Sequence, residues 1–296
     1  VGSVQLKLND DGFYTLMIGC SDMGTGCDTI LAQMAADGLG CDMDNIIVRG
    51  VDTDQSPYDS GSYASSTTYV TGGAVVKACE SMRKRICEEA AAIMGLKSGE
   101  VDFDGETISE NDNPEHSMTL SDLITSLEAG NGRIIEVTES HTSPVSPPPF
   151  MAGAAEIEVD LETGKITPIN YVAAVDCGTV INTNLARIQT EGGIVQGMGM
   201  TLYEDVQYTE AGKMKNRNFM SYKIPTRLDM GSISVEFESS YEQTGPYGAK
   251  SIGEIVINTP APAIADAVYN ATGLRFRTLP ITAEQVMMGL LEREEA

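Results

Sequence analysis

A residue period of two and a period near 3.6 alternate along this chain, and the order of their alternation limits the folds open to it. Residues 4–8 and 13–18 place apolar side chains at every second position around the turn formers Asn9, Asp10, Asp11 and Gly12, which predicts a hairpin. A helix is expected next, because Ile30, Leu31, Met34, Ala35 and Leu39 share one face and Gly40 stops the run. A short strand over 46–51 and a loop rich in Asp, Ser, Tyr and Gly over 52–66 lead into a long helix predicted over 67–94. Its stripe is Val70, Ala74, Val75, Ala78, Met82, Ile86, Ala90 and Met94. A strand pair about Gly105, a capped helix over 119–129 and a strand near Ile134 follow.

The same theme then repeats. Between His141 and Phe150 stand Pro144, Pro147, Pro148 and Pro149, which cannot continue a helix or a central strand. A surface crossover is therefore expected over 141–152, separating a first lobe over 1–140 from a second over 153–296. The second lobe opens with a hairpin, 154–159 and 166–175 about the turn DLETG. A helix over 185–202, strands about Val206 and Val235, and helices over 260–272 and 282–292 complete it. At 296 residues the chain exceeds the size that one core usually serves. Hairpins interleaved with single helices imply the α+β class: two lobes of mixed or antiparallel sheet with helices packed on one face, rather than a doubly wound parallel sheet.

Charge excludes several functions. Nineteen basic against 43 acidic side chains leave a net charge of -24, which repels phosphate backbones and anionic lipid headgroups. No run approaches the roughly 20 apolar residues that span a bilayer, and the N-terminus lacks the pattern of a secretory signal, so a cytoplasmic protein is expected. Cys20, Cys27, Cys41, Cys79, Cys87 and Cys177 form no CxxC pair, which gives a zinc or iron–sulfur site no support within this chain. With only His116 and His141, and no GxSxG elbow, there is little material for a Ser/His or Cys/His nucleophile.

Three glycine-rich segments precede expected helix starts: GCSDMGTGCDT at 19–29, QTEGGIVQGMG at 189–199 and GPYGAKSIGE at 245–254. Glycine allows positive φ and close backbone approach, so amides at a following helix start are available to anionic oxygen, as in a phosphorylated cofactor. Tight packing explains the same glycines equally well, and none of the three is a Walker or dinucleotide fingerprint. In YASSTT at 63–68, hydroxyls stand where the long helix begins; they serve either as caps or as partners for a phosphate or pterin oxygen. Glu254 lies between Gly253 and the apolar Ile255, Val256 and Ile257. In a partly dry pocket such a carboxylate has its pKa raised towards the range of a general base; otherwise it is a surface glutamate near a helix start.

Taken in order, these segments resemble the C-terminal half of the molybdopterin-binding domain of the xanthine dehydrogenase and aldehyde oxidase family. The likeness spans essentially the whole chain: GCSDMGTGCDTILAQMAADGLG, DTDQSPYDSGSYASSTTYVTGGAV, VDCGTVINTNLARIQTEGGIVQGMGMTLYED, NFMSYKIPT and GPYGAKSIGEIVINTPAPAIADAVYNATG. It is most similar to the split form of this domain in bacterial nicotinate dehydrogenases, where two chains share it. The resemblance implies that Glu254 is the catalytic base, accepting the proton of a metal-bound hydroxide whose oxygen attacks an electron-poor carbon while hydride leaves to a sulfido or selenido ligand. It assigns cofactor contacts to Gly24, Thr25 and Gly26, to Ala64, Ser65 and Thr67, to Gln189, and to Lys250 and Gly253, with no protein ligand to the metal itself. The implied cofactor is molybdopterin, alone or as its cytosine dinucleotide, with FeS clusters and FAD on partner chains or domains. Thr25 departs from the family pattern, since many members carry glutamine between the two glycines.

The family's GGGFGGK-like loop and its arginine-bearing AFRGFG-like motif do not occur here, nor do its iron–sulfur and flavin modules. The chain is therefore expected to be one subunit of a split enzyme or one domain of a longer chain. Its expected partners are the N-terminal molybdenum half, the FeS and FAD subunits or domains, and a small heterocycle or aldehyde substrate. Its acidity suggests a comparatively basic partner surface. Two rival readings are a non-catalytic scaffold of the same fold without cofactor, and a stand-alone nucleotide-binding protein resting on the glycine loops alone.

Overall fold

The computed structural model describes residues 1–130 and 132–294. They form two compact units, Val1–Pro147 with Tyr241–Ser251, and Pro148–Ser240 with Ile252–Ala296.

The first unit contains β1 (Gly2–Leu8), β2 (Tyr14–Ile18), α1 (Cys27–Leu39), β3 (Ile46–Arg49), α2 (Gly72–Met94), β4 (Val101–Phe103), β5 (Thr107–Glu110), β6 (Asn113–Thr119), α3 (Leu120–Gly130) and β7 (Ile135–His141). Its main sheet runs β3-β2-β1-β7; β1 pairs antiparallel with β2 and β7, and β3 lies parallel to β2. The period of two read from the sequence is the period of burial: Val4, Leu6 and Leu8 on β1 and Tyr14, Leu16 and Ile18 on β2 are all buried. Helix α2 packs on β1 and β7 with α1 beside it. It buries Ala74, Ala78, Met82, Ile86 and Ala90, one face at a spacing of four. Each fully buried Leu, Ile or Met contributes roughly 1.5–3 kcal/mol relative to exposure.

Three differences from the sequence reading have local causes. The stretch Thr67–Thr71 is a π turn, and the α-helix proper begins at Gly72. Glycine is required there, because a Cβ at Gly72 would stand 2.8 Å from Met34 Sδ and one at Gly73 would stand 2.6 Å from the ring of His141. Strand β6 was not expected, since NPEHSMT is polar and largely exposed; it is an edge strand held by pairing to β5. The residues 153–296 do not form one uninterrupted lobe, because Tyr241–Ser251 belongs to the first unit. There Tyr247 OH donates to Met34 O at 2.9 Å, and Tyr69 OH and Thr244 Oγ1 share a hydrogen bond of 2.6 Å.

The second unit contains β8 (Phe150–Val159), β9 (Ile166–Asp176), α4 (Thr183–Leu202), β10 (Ser232–Phe237), α5 (Pro260–Thr272) and α6 (Ala283–Glu294). Strand β9 is central, antiparallel to β8 and parallel to β10. Its core joins Tyr171 and Ala173 of β9, Ile194 and Met198 of α4, Ile264 and Val268 of α5, and Val286 of α6. Gly153 permits one close approach: a Cβ there would stand 2.1 Å from Tyr171 OH, which donates to Thr259 Oγ1 at 2.8 Å. Strand β8 starts at Phe150, so the crossover expected over 141–152 is shorter than the prolines suggested. The strand expected about Val206 is reduced to one bridge, Tyr208 with Met214. Polar side chains there take up the backbone instead: Asn216 Oδ1 accepts from Gln207 N–H at 3.0 Å and Asn218 Oδ1 from Met220 N–H at 3.1 Å. No helix among the described residues is long and apolar enough to cross a membrane.

Candidate functional site

Within the first unit, the fold brings two of the expected cofactor segments together. Gly19 lies against the next loop so closely that a Cβ would stand 2.4 Å from Pro57 O and 2.6 Å from Asp59 Cβ. Ser62 Oγ donates to Ser21 O at 3.4 Å, and Thr71 Oγ1 to Asp59 Oδ2 at 2.9 Å. Gly24 and Gly26 take positive φ, 98° and 77°, and Gly26 caps α1. This is the conformational freedom for which glycine was expected.

The amides at that helix start are not open, however. Asp22 Oδ1 accepts from Gly24 N–H at 2.8 Å and Gly26 N–H at 3.2 Å, and its Oδ2 accepts from Asp28 N–H at 3.3 Å. Partial burial opposes the charge of Asp22, but these donors outweigh it and hold the carboxyl below its ordinary pKa. An internal carboxylate therefore occupies the anion position that glycine spacing suggested for a ligand. Nothing in the spacing distinguishes the two, although an Asp two residues before the first glycine is the signal for an Asx-type turn.

Ala64 and Ser65 are consecutive non-glycine residues in the left-handed region, with φ of 52° and 55°. Such backbone costs roughly 1–2 kcal/mol per residue and persists where its surroundings impose it. The Ser65 hydroxyl is buried and has no hydrogen-bond partner among the described residues. The hydroxyls of 63–68 do not cap the helix that follows: the start at Ser66 has no side-chain cap, and Ser66 Oγ donates to Gly61 O at 3.3 Å. Thr67 opens the π turn. Lys250 is 8 % exposed, and its charge helps to lower the pKa of Glu242, behind the hydrogen bonds from Thr244.

Within the second unit, Gln189 and the Glu254 turn are adjacent. Gln189 Nε2 donates to Gly253 O at 3.4 Å. The segment 189–199 lies inside α4, in keeping with the helix expected over 185–202, rather than ahead of a helix start. Its glycines serve packing: a Cβ at Gly193 would stand 2.2 Å from Val256 Cγ2, and one at Gly197 2.8 Å from Pro260 Cγ. Glu254 is the N-cap residue immediately before a 3-10 turn, Ile255–Ile257, whose Val256 is fully buried against α4. Glu254 itself is exposed, so this chain does not build the partly dry pocket that its sequence context suggested. The run GPYGAKSIGE is divided between the units after Ser251, which leaves Lys250 in the first and Gly253 and Glu254 in the second.

Within the first unit, Ala64, Ser65 and the glycine loop fit a hydrogen-bonding cofactor of pterin type. A buried hydroxyl without a partner, in a strained turn held against a glycine loop, is the kind of unsatisfied group that a bound ligand completes. A sequence profile for the family described as molybdopterin cofactor-binding domain matches residues 2–231. The chain is 33% identical over 290 residues to the probable hypoxanthine oxidase XdhD of Escherichia coli strain K12, covering 96% of this chain and 30% of that protein. It is 29% identical over 291 residues to the putative xanthine dehydrogenase molybdenum-binding subunit XdhA of the same strain, covering 97% and 39%. Among solved structures, quinoline 2-oxidoreductase from Pseudomonas putida 86 superposes with a TM-score of 0.85 at 25% identity, covering 98% of this chain and 38% of that one. The chain therefore spans between 30% and 39% of the length of these proteins.

Proposed function

This chain belongs to the molybdopterin cofactor-binding domain family of the xanthine dehydrogenase and aldehyde oxidase type, and from that membership we propose that it supplies the proton-accepting glutamate of a molybdenum hydroxylase. Bound molybdopterin would supply the two-electron redox centre. The chain's own residues hold and position. Ser65, with Ala64 and Thr67, offers a hydroxyl and backbone groups to the cofactor's polar edge; Gly24, Thr25 and Gly26 let the backbone approach it; Gln189 and Gly253 set the place of the turn that carries Glu254; and Lys250 adds a fixed positive charge. Glu254 accepts a proton at its carboxylate from the water-derived oxygen that attacks the substrate carbon, and passes it on to solvent.

The observation that carries this reading is the anchoring of the Glu254 turn: Val256 seated against Gly193, and Gln189 bonded to Gly253, tie the turn that bears this exposed carboxylate to α4. Its exposure means that another polypeptide region must exclude water from it before it works as a base. The substrate class best supported is an aromatic nitrogen heterocycle of purine or nicotinate kind, or an aldehyde. FeS and FAD partners carry the electrons away, in keeping with a chain that covers a third of its relatives. Glu254→Gln in the molybdenum-loaded enzyme tests the role: turnover is expected to fall by roughly 10²–10⁴ with metal content unchanged. Full turnover with the metal in place would remove Glu254 from the chemistry.

One observation favours a second reading, a scaffold of this fold that binds no cofactor: Asp22 already occupies the amides of the glycine loop. Metal analysis of the protein purified with its natural partners separates the two. About one molybdenum per complex excludes the scaffold, and none supports it.

A further inference from the structure

The segment 203–231 of the second unit has neither helix nor strand beyond its single bridge, and within it, flanked by Glu204, Asp205, Glu210 and Asp229, residues 211–228 invert the charge of the chain. Between 211 and 228 it carries Lys213, Lys215, Arg217, Lys223 and Arg227, five of the nineteen basic residues, and not one of the 43 acidic ones. Large apolar side chains stand among them in solvent: Phe219 is 82% exposed, Met220 87% and Leu228 93%. Three large apolar side chains this exposed within ten residues of sequence, among five cations, suit a partner interface.

The segment is nonetheless tied down. Tyr222 OH donates to Glu204 Oε2 at 2.7 Å, Asp229 Oδ2 accepts from Thr226 N–H at 2.8 Å, and Pro225 lies against Gly199 of α4, where a Cβ would stand 3.0 Å from its Cδ. Its cations are not spent internally. Lys223 Nζ and Arg227 Nη1 donate only to the backbone carbonyls of Met220 and Gly231, at 2.9 and 3.0 Å. None of the five makes an ion pair among the described residues. A preformed, cationic and apolar surface on an otherwise acidic protein selects an apolar patch ringed by carboxylates.

We propose that residues 213–228 dock onto an acidic, apolar-centred surface of the polypeptide region that completes the molybdenum domain. Phe219, Met220 and Leu228 fill its apolar centre, and the five cations pair with carboxylates at its rim. This rests on the proposed function for the identity of the partner. It reverses, at this one place, the polarity that overall charge suggests for that partner. A second copy of this chain is the competing occupant, since its surface is acidic as well.

The test uses the enzyme as its source organism makes it, beside the isolated 296-residue chain. A carbodiimide joins amines to adjacent carboxylates, and mass spectrometry locates the joined pairs. Lys213, Lys215 and Lys223 are expected to join Asp or Glu of the completing region, and to react with an amine label at least tenfold more slowly than in the isolated chain. Phe219→Ser with Leu228→Ser is expected to weaken assembly by about tenfold or more at constant salt. Charge reversal at Lys215 and Arg217 is expected to weaken it more at low salt than at high. Full labelling of these lysines in a molybdenum-containing assembly would overturn the docking surface while leaving the proposed function intact. Crosslinks only between two copies of this chain would overturn it in favour of self-association. Absence of molybdenum and of any completing polypeptide would overturn both proposals.

Discussion

Replacing Gly193 by alanine distinguishes a helix glycine kept for packing from one that is merely tolerated. In an ordinary helix interior the change would stabilise by about 0.8–1.0 kcal/mol, because alanine gives up less backbone freedom on folding. In α4 the new methyl would stand 2.2 Å from Val256 Cγ2, inside any permissible contact, and 3.2 Å from the Val256 carbonyl carbon, a tight one. Val256 is fully buried and branched at Cβ, so it has no free rotamer into which to retreat, and the turn Ile255–Ile257 must move as a body. Overpacking of this kind costs about 1–3 kcal/mol, so the net change is a loss of up to about 2 kcal/mol. At about 2–4 °C per kcal/mol, that upper figure corresponds to a fall in Tm of roughly 4–8 °C. Moving the turn also stretches the Gln189 bond to Gly253, which is already 3.4 Å long. Amide exchange at Ile257, whose N–H bonds to Glu254 O, is then expected to accelerate in the isolated chain. In Gly193→Ala with Val256→Ala, removing the opposing methyls should restore about 1 kcal/mol relative to the sum of the single changes. A rise in Tm for Gly193→Ala alone would refute the reasoning, for it would mean that the turn has slack.

Asp22→Ala removes the acceptor of three loop amides and should destabilise the isolated chain by about 1 kcal/mol at neutral pH. Because the folded pKa of Asp22 lies below its ordinary 3.8, its contribution is fully present above that value and is lost as pH falls through the depressed folded pKa. Acid unfolding profiles of the two proteins should therefore converge only well below pH 4. Ala64→Gly relieves one left-handed residue and should raise the stability of the cofactor-free chain by about 0.5–1 kcal/mol; an unchanged midpoint in denaturant would show that no strain is held there. Gly153→Ala should cost about 2 kcal/mol or more, since its methyl meets Tyr171 OH and Thr259 Oγ1 together, and Tyr171→Phe in the same background should recover part of that loss by vacating the contact.

Local periodicity and glycine placement determined a good deal of this protein without tertiary information. Both hairpins, the main helices, the α+β class and the family itself were legible, because alternation of side chains along a strand and their recurrence on a helix face are properties of a few neighbouring residues. What those patterns could not determine depends on residues far apart in sequence. Only the fold decided that Tyr241–Ser251 returns to the first unit, since that depends on Tyr247 reaching Met34 and Thr244 reaching Tyr69. Only the fold decided that Gly193 and Gly197, inside the helix expected over 185–202, are there to admit Val256 and Pro260, and that Asp22 fills the loop read as an anion site. Glu254 shows the boundary most clearly. Its neighbours in sequence are glycine and aliphatic residues, which reads as a dry setting, yet the carboxylate is exposed. Burial is set by what packs against a side chain in space, and adjacency along the backbone does not decide that.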